Sequence, residues 1–230
     1  MSKIKDAKGR RDGNSGYGRV LGNVELGNLL SRVQATVISN GTELERMLTS
    51  RCRQIEDIDR FIDDATVGAV ENGTYICLKK IFKKAVKYSP NQSPFGKHVE
   101  PDLLVFVVES YRVCKVLEIK DGDMFDTKKS EAERQNLEWF SKEFGSKIPF
   151  VTNYYICSFN QSDKERIREG FKNVFDIGHI MTGEELCTLL GIDYRDIVAE
   201  READAKENFD YFISQLVSIP EVREALKDLH

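Results

Sequence analysis

The chain has 230 residues, 40% of them hydrophobic and 31% charged, with a formal net charge of −4. This is the composition of a folded domain and excludes disordered, collagenous and membrane-embedded classes. No apolar run approaches the ~20 residues of a membrane span, and the start MSKIKDAKGRRDG has no apolar stretch of the signal-peptide kind, so neither secretion nor membrane insertion is expected.

The charge is unevenly spread. Residues 1–19 hold six Lys/Arg against two Asp, residues 79–97 hold six lysines and no acid, and residues 193–210 hold seven acids against three bases. The first segment, rich in Gly, Lys and Arg, is expected to be mobile. From Leu21 to Ile38, apolar residues at 26, 29, 30, 33 and 37 follow helical spacing. Asn40-Gly41 then reads as a turn, and Thr42 with Glu45 three residues on reads as a capping box opening a second helix through Leu44, Met47 and Leu48. Ile55, Ile58 and Ile62 continue a helical stripe to about Val67, residues 74–88 fit either strand or helix, and Pro90, Pro94 and Gly96 mark a loop.

Strands are predicted over 102–108 and 113–120, a helix over DTKKSEAERQNLEWFSKEF with Ser130 and Glu133 spaced as a second capping box, and a strand over 149–159. A helix at about 162–170, a short strand at 173–177, and helices at about 183–190, 196–217 and 220–229 complete the pattern. The implied class is α/β, a central mixed sheet flanked by helices with helical N- and C-terminal parts. The five cysteines (Cys52, Cys77, Cys114, Cys157 and Cys187) form no CxxC or Cys/His cluster, which argues against a zinc site or disulfide framework and for thiols in a reducing cytoplasm.

The informative stretch is PDLLVFVVESYRVCKVLEIKD, from Pro101 to Asp121. Two apolar strands carry charge where a buried strand should not: Asp102 at the mouth of the first, Glu118 and Lys120 at the end of the second. Residues i and i+2 share a strand face, so Glu118 and Lys120 point one way while Leu117 and Ile119 point into packing. A three-residue loop at 109–111 sets Asp102 opposite Glu118. A loop at 110–112 sets it opposite Lys120, and a two-residue loop turns it to the other face. In either of the first two registers the charges converge with Cβ atoms about 5 Å apart. Two opposed carboxylates repel, and a divalent cation relieves the repulsion.

Pro101-Asp102, fifteen intervening residues and Glu118-Ile119-Lys120 resemble the motif of the PD-(D/E)xK phosphodiesterases. Residues 101–140 resemble their core of hairpin plus helix, and the helical N-terminal part looks like that of bacterial type II restriction endonucleases. The resemblance implies a restriction-endonuclease-like core and a Mg²⁺-dependent enzyme cutting double-stranded DNA at a short, palindromic sequence. It implies that Asp102 and Glu118 ligate Mg²⁺, that the Ile119 carbonyl joins them, and that Lys120 assists the hydrolytic water. Family members often carry a helical glutamate ahead of the sheet, for which Glu45, or alternatively Glu43, is the candidate. The expected organisation is a flexible basic segment at 1–19 and one nuclease domain at 20–230. Within that domain the helical part runs to about residue 70, the catalytic core covers about 74–178, and the helical C-terminal part covers about 183–230. A palindromic site suits a two-fold homodimer.

Lys79, Lys80, Lys83, Lys84, Lys87, Lys128 and Lys129 are the candidates for phosphate contacts, although a solvated lysine face has the same sequence appearance. Asp121 and Asp123 are candidates for an outer role at the metal, and Gln135 for facing the site from the following helix. Trp139 reads as packing. His98, His179 and His230 suggest no triad, and no phosphate-binding glycine loop is present. Two other readings stay open: a structure-specific repair or junction nuclease of the same fold, and a non-catalytic protein whose lysine segment binds acidic partners.

Overall fold

The computed structural model describes residues 1–9, 16–91, 100–122 and 126–228. The chain divides into two compact units: residues 1–47 with 195–230, and residues 48–194.

The second unit carries a six-stranded mixed sheet in chain order: β1 (Arg53–Gln54), β2 (Gly73–Leu78), β3 (Leu103–Val108), β4 (Arg112–Lys120), β5 (Val151–Ser158) and β6 (Ile180–Thr182). The pairs β2–β3 and β3–β4 are antiparallel, while β1–β2, β4–β5 and β5–β6 are parallel. β3 reads LLVFVV and is buried along its whole length, as a strand covered on both faces must be.

Four helices, α3 (Ile58–Thr66), α4 (Lys79–Phe82), α5 (Thr127–Gly145) and α6 (Lys164–Gly170), contribute to the core on one face of the sheet. α5 does so through Leu137, Phe140 and Phe144, spaced for one helix face, and each fully buried side chain of this kind contributes about 1.5–3 kcal/mol. Phe140 and Phe144 meet Phe82 of α4 at ring distances of 5.0 and 5.4 Å, and Phe144 meets Phe106 of β3 at 6.4 Å, so α5 packs on both α4 and the sheet. On the opposite face Leu103, Val105, Leu117 and Cys157 are buried.

After β6 comes α7 (Gly183–Leu190), whose entry is sterically exacting. A Cβ at Gly183 would stand 2.2 Å from the Phe159 carbonyl oxygen. The Phe159 N–H donates in turn to the Lys120 carbonyl at 2.9 Å. Gly183→Ala is therefore expected to cost about 2–3 kcal/mol, read as a lowered midpoint in thermal unfolding. An unchanged midpoint would show that the backbone can yield there.

The first unit contains α1 (Gly16–Leu21), α2 (Val24–Thr49, to its residue 47), α8 (Tyr194–Ser218, from residue 195) and α9 (Pro220–Lys227). Residues 1–9, which composition marks as mobile, are held to these helices. The amino terminus and Lys3 pair with Asp204, Lys3 and Lys5 with Glu207, and Arg32 donates to the Ile4, Lys5 and Ala7 carbonyls. The basic start thus neutralises part of the acidic segment at 193–210.

Three local expectations are corrected. The turn at Asn40-Gly41 does not form, because α2 runs unbroken through it. Burial of Leu29, Leu44, Met47 and Leu48 along that helix outweighs the ~1 kcal/mol helical cost of one glycine. Neither Thr42–Glu45 nor Ser130–Glu133 makes a capping box. Asp126 caps α5 by accepting from the Lys128 and Lys129 N–H groups, and the box forms instead at Thr182–Glu185. The short strand placed at 173–177 lies at Ile180–Thr182. Lys172 and Asn173 take the left-handed backbone (φ 58° each), which turns the chain, and Phe175 packs on Phe171 instead of entering the sheet.

Candidate active site

The hairpin register sets Val108 against Arg112 and Leu103 against Leu117. The loop is therefore residues 109–111, and Asp102, one residue before β3, falls opposite Glu118. Leu104 and Val116 on the same sheet face both enter the core, which places Asp102, Glu118 and Lys120 together on that face, while Leu117 and Ile119 point away and are buried. The three groups converge where β4 ends and β3 begins.

Glu118 is only 9% exposed. Burial pushes its carboxyl well above the usual carboxylate range, the charge of Asp102 pushes it further, and Lys120 opposes both. Asp102 Oδ2 accepts a hydrogen bond from the Ile119 N–H at 3.0 Å, which orients its carboxylate across the strand pair. Lys120 Nζ donates to Glu118 Oε1 at 2.6 Å and to Glu133 Oε1 at 3.1 Å. Burial alone would lower the Lys120 pKa, but the two carboxylates outweigh it and hold the ammonium above the usual lysine value.

Two carboxylates face each other in a half-dry site, and a single ammonium is shared between two acids. Among the described residues no group of three or more His, Cys, Asp or Glu side chains is arranged to hold a metal. What the cluster does offer is two opposed carboxylates, Asp102 and Glu118. That set suits a hard cation such as Mg²⁺, which takes one or two carboxylates and completes its shell with water and phosphate.

Glu133, absent from the hairpin motif, reaches the cluster from α5. Its spacing from Ser130 suggested a cap, but the helix begins earlier, at Thr127 with Asp126 as its cap, and Glu133 faces Lys120 from nearly two turns in. Gln135 is two residues, some 200° around the helix, from Glu133 and so points elsewhere. Asp121 accepts from Asn160 Nδ2 at its carbonyl (2.5 Å) and at its carboxylate (3.0 Å). Asp123 lies outside the described residues, as do Pro94, Gly96, Lys97, His98 and His230.

Glu45 lies within α2, inside the helix and not at a cap, so capping no longer accounts for it. Glu43 is held by Arg46, which accounts for its lowered pKa. Of the candidate phosphate contacts, Lys80, Lys83, Lys84, Lys87, Lys128 and Lys129 are exposed and Lys79 is half-buried. Lys83 pairs with Glu100 at 3.0 Å and Lys87 with Asp63 at 2.5 Å. Trp139 packs against the core, and His179 stacks on Tyr154 with ring centroids 4.0 Å apart.

No family model matches the chain, and no solved structure matches it significantly. A curated protein does: type II restriction enzyme HhaII from Haemophilus parahaemolyticus is 62% identical over 228 residues, 99% of each chain. Identity at this level over 99% of each chain decides among the readings that the hairpin alone left open. The chain belongs to the type II restriction enzymes.

Proposed function

We propose that the cluster at the end of β4 is the catalytic centre of a site-specific deoxyribonuclease and that its cofactor is Mg²⁺, with Asp102 and Glu118 as ligands and the Ile119 carbonyl joining them. As a type II restriction enzyme, the chain cleaves double-stranded DNA at a specific sequence, and enzymes of this class generally employ a divalent metal. The observation that carries the assignment is the opposition of Asp102 and Glu118 on one sheet face with the Lys120 ammonium 2.6 Å from Glu118.

The bound cation supplies Lewis-acid polarisation of the scissile phosphate and charge neutralisation. The protein's own contribution is positional. Asp102 is fixed by the Ile119 N–H, and Glu118 is fixed by its strand and its burial. Lys120, kept charged by its two acids, is available to hold the attacking water or a phosphate oxygen. The test is plasmid cleavage: Mg²⁺ should yield a fixed set of discrete fragments and chelation should abolish them. Smearing, or a preference for branched DNA, would contradict the reading.

Phosphate contacts are assigned to Lys79, Lys80, Lys83, Lys84, Lys87, Lys128 and Lys129, whose charge is local and independent of the net −4. Removing Lys83 and Lys84 together should weaken cognate and random DNA binding alike. It should also flatten the slope of log affinity against log salt by up to about two. An unchanged slope would return these lysines to a solvated face.

The working form is proposed to be a homodimer. Each chain supplies one cluster, two strands must be cut, and a palindrome is matched by two-fold symmetry. In α8, Phe209, Ile213 and Val217 recur at helical spacing and are 64%, 38% and 42% exposed, an apolar stripe of the kind that marks an interface. Ile213→Glu should convert a sedimenting dimer to monomer. A parent that is monomeric both alone and on DNA, or a variant that stays dimeric, would remove the stripe from the account. Among the described residues no helix is long and apolar enough to cross a membrane. The five cysteines are free thiols, which suits a reducing cytoplasm, the proposed location.

A further inference from the structure

Lys120 has two counter-ions, and they come from different elements. Glu118 lies two residues before it on the same strand, whereas Glu133 approaches from α5. An ammonium has three donors and no acceptor, so it needs fixed acceptors around it to hold one direction. If Glu118 were its sole partner, a cation bound to Glu118 would compete for the same carboxylate and repel the amine. Glu133 gives the amine a second anchor, on a carboxylate that lies on the helix side of the site.

Charge balance points the same way. Asp102, Glu118 and Glu133 with Lys120 sum to −2 when all are ionised, the charge that one divalent cation cancels. Without Glu133 the sum is −1, and the loaded site would be left positive. Glu133 and Lys120 are 23% and 24% exposed, so water screens the pair only in part. The helix that carries Glu133 is pinned by Leu137, Phe140 and Phe144, so the carboxylate is presented from a rigid element.

We propose that Glu133 is a positioning residue for DNA cleavage: it anchors the Lys120 ammonium while Glu118 serves the cation, keeping the amine aimed at the water or phosphate. The proposal rests on the assignment of Asp102, Glu118 and Lys120 given above.

The test compares Glu133→Gln, Glu133→Ala, Glu133→Asp, Lys120→Ala and the double variant Glu133→Gln/Lys120→Ala. Single-turnover cleavage in Mg²⁺ is measured beside DNA affinity in Ca²⁺, with metal-free DNA affinity and the unfolding midpoint confirming that each variant is folded. Glu133→Gln and Glu133→Ala should lower the rate about 10–100-fold and leave Ca²⁺-supported affinity within about twofold. Glu133→Asp should recover part of the rate. The double variant should be no slower than Lys120→Ala, because Glu133 acts only through that amine.

A parent-like rate in Glu133→Ala, with Lys120→Ala inactive, would overturn this proposal alone. Loss of the Ca²⁺ effect in Glu133→Ala would make Glu133 a cation ligand and overturn it as well. A fully active Lys120→Ala would instead remove the assignment on which the proposal rests.

Discussion

Asp102→Ala and Glu118→Ala are each expected to lower DNA cleavage by about 10³-fold or more, to the background of the assay. Each removes one of the two proposed anionic ligands of the cation, and losing several kcal/mol of transition-state charge stabilisation costs a factor of ten for every ~1.4 kcal/mol. Metal-free DNA affinity should hold or improve, because a negative charge near the phosphate has gone. Stability should follow the same asymmetry. Glu118 is buried and faces Asp102, so its charge is costly in the metal-free protein. Glu118→Gln should therefore leave the metal-free unfolding midpoint unchanged or higher while erasing the rise that a divalent cation produces in the parent. A Glu118→Gln protein that still gains stability from the cation would mean that the cation sits elsewhere.

Lys120→Ala should lose activity by a different route. Both carboxylate ligands remain, so the cation still binds, but the positive group that steadies the water or phosphate is missing. Loss of one such electrostatic contact lowers turnover by about 10²–10³-fold. Removing the amine also leaves Glu118 and Glu133 without the partner they share, so metal-free stability should fall modestly and recover on adding a divalent cation. Single-turnover rates with saturating Mg²⁺ make the distinction. A Lys120→Ala protein that cuts at the parent rate would reduce the lysine to a surface charge.

The hairpin was the most legible part of the site. Two apolar runs at 103–108 and 113–119, separated by only four residues, leave few registers for a hairpin. The one observed, with residues 109–111 as the loop, was among those the spacing allowed. Asp102, Glu118 and Lys120 share a face because strand periodicity is two, a property local to each strand.

Glu133 was not legible as a member of the cluster, because the direction a helical side chain faces depends on how the helix docks. The docking of α5 is set by Phe82, Phe140 and Phe144 meeting across elements distant in sequence. Thr42, Ser130 and Thr182 are each followed by Glu three residues later, yet of these only Thr182 is a cap. At the other two, a continuing helix or an earlier cap at Asp126 takes precedence. β1, two exposed residues long, and β6, three residues long, are too short for alternation to reveal. Their places are fixed by neighbouring strands. The contacts of residues 1–9 with α2 and α8 had a trace in the sequence, as opposite charge runs at 1–19 and 193–210, but charge runs alone do not say which surfaces meet.

Asp102 and Glu118 are proposed to hold the cation, and Lys120 is not. This claim is tested most directly by titrating cognate DNA against the parent, Asp102→Ala, Glu118→Ala and Lys120→Ala, with and without Ca²⁺, which occupies oxygen sites of this kind. The predicted result is that Ca²⁺ tightens binding by the parent and by Lys120→Ala and has no effect on either carboxylate variant. Ca²⁺ enhancement that survives in both carboxylate variants would contradict the claim and place the cation away from the end of β4.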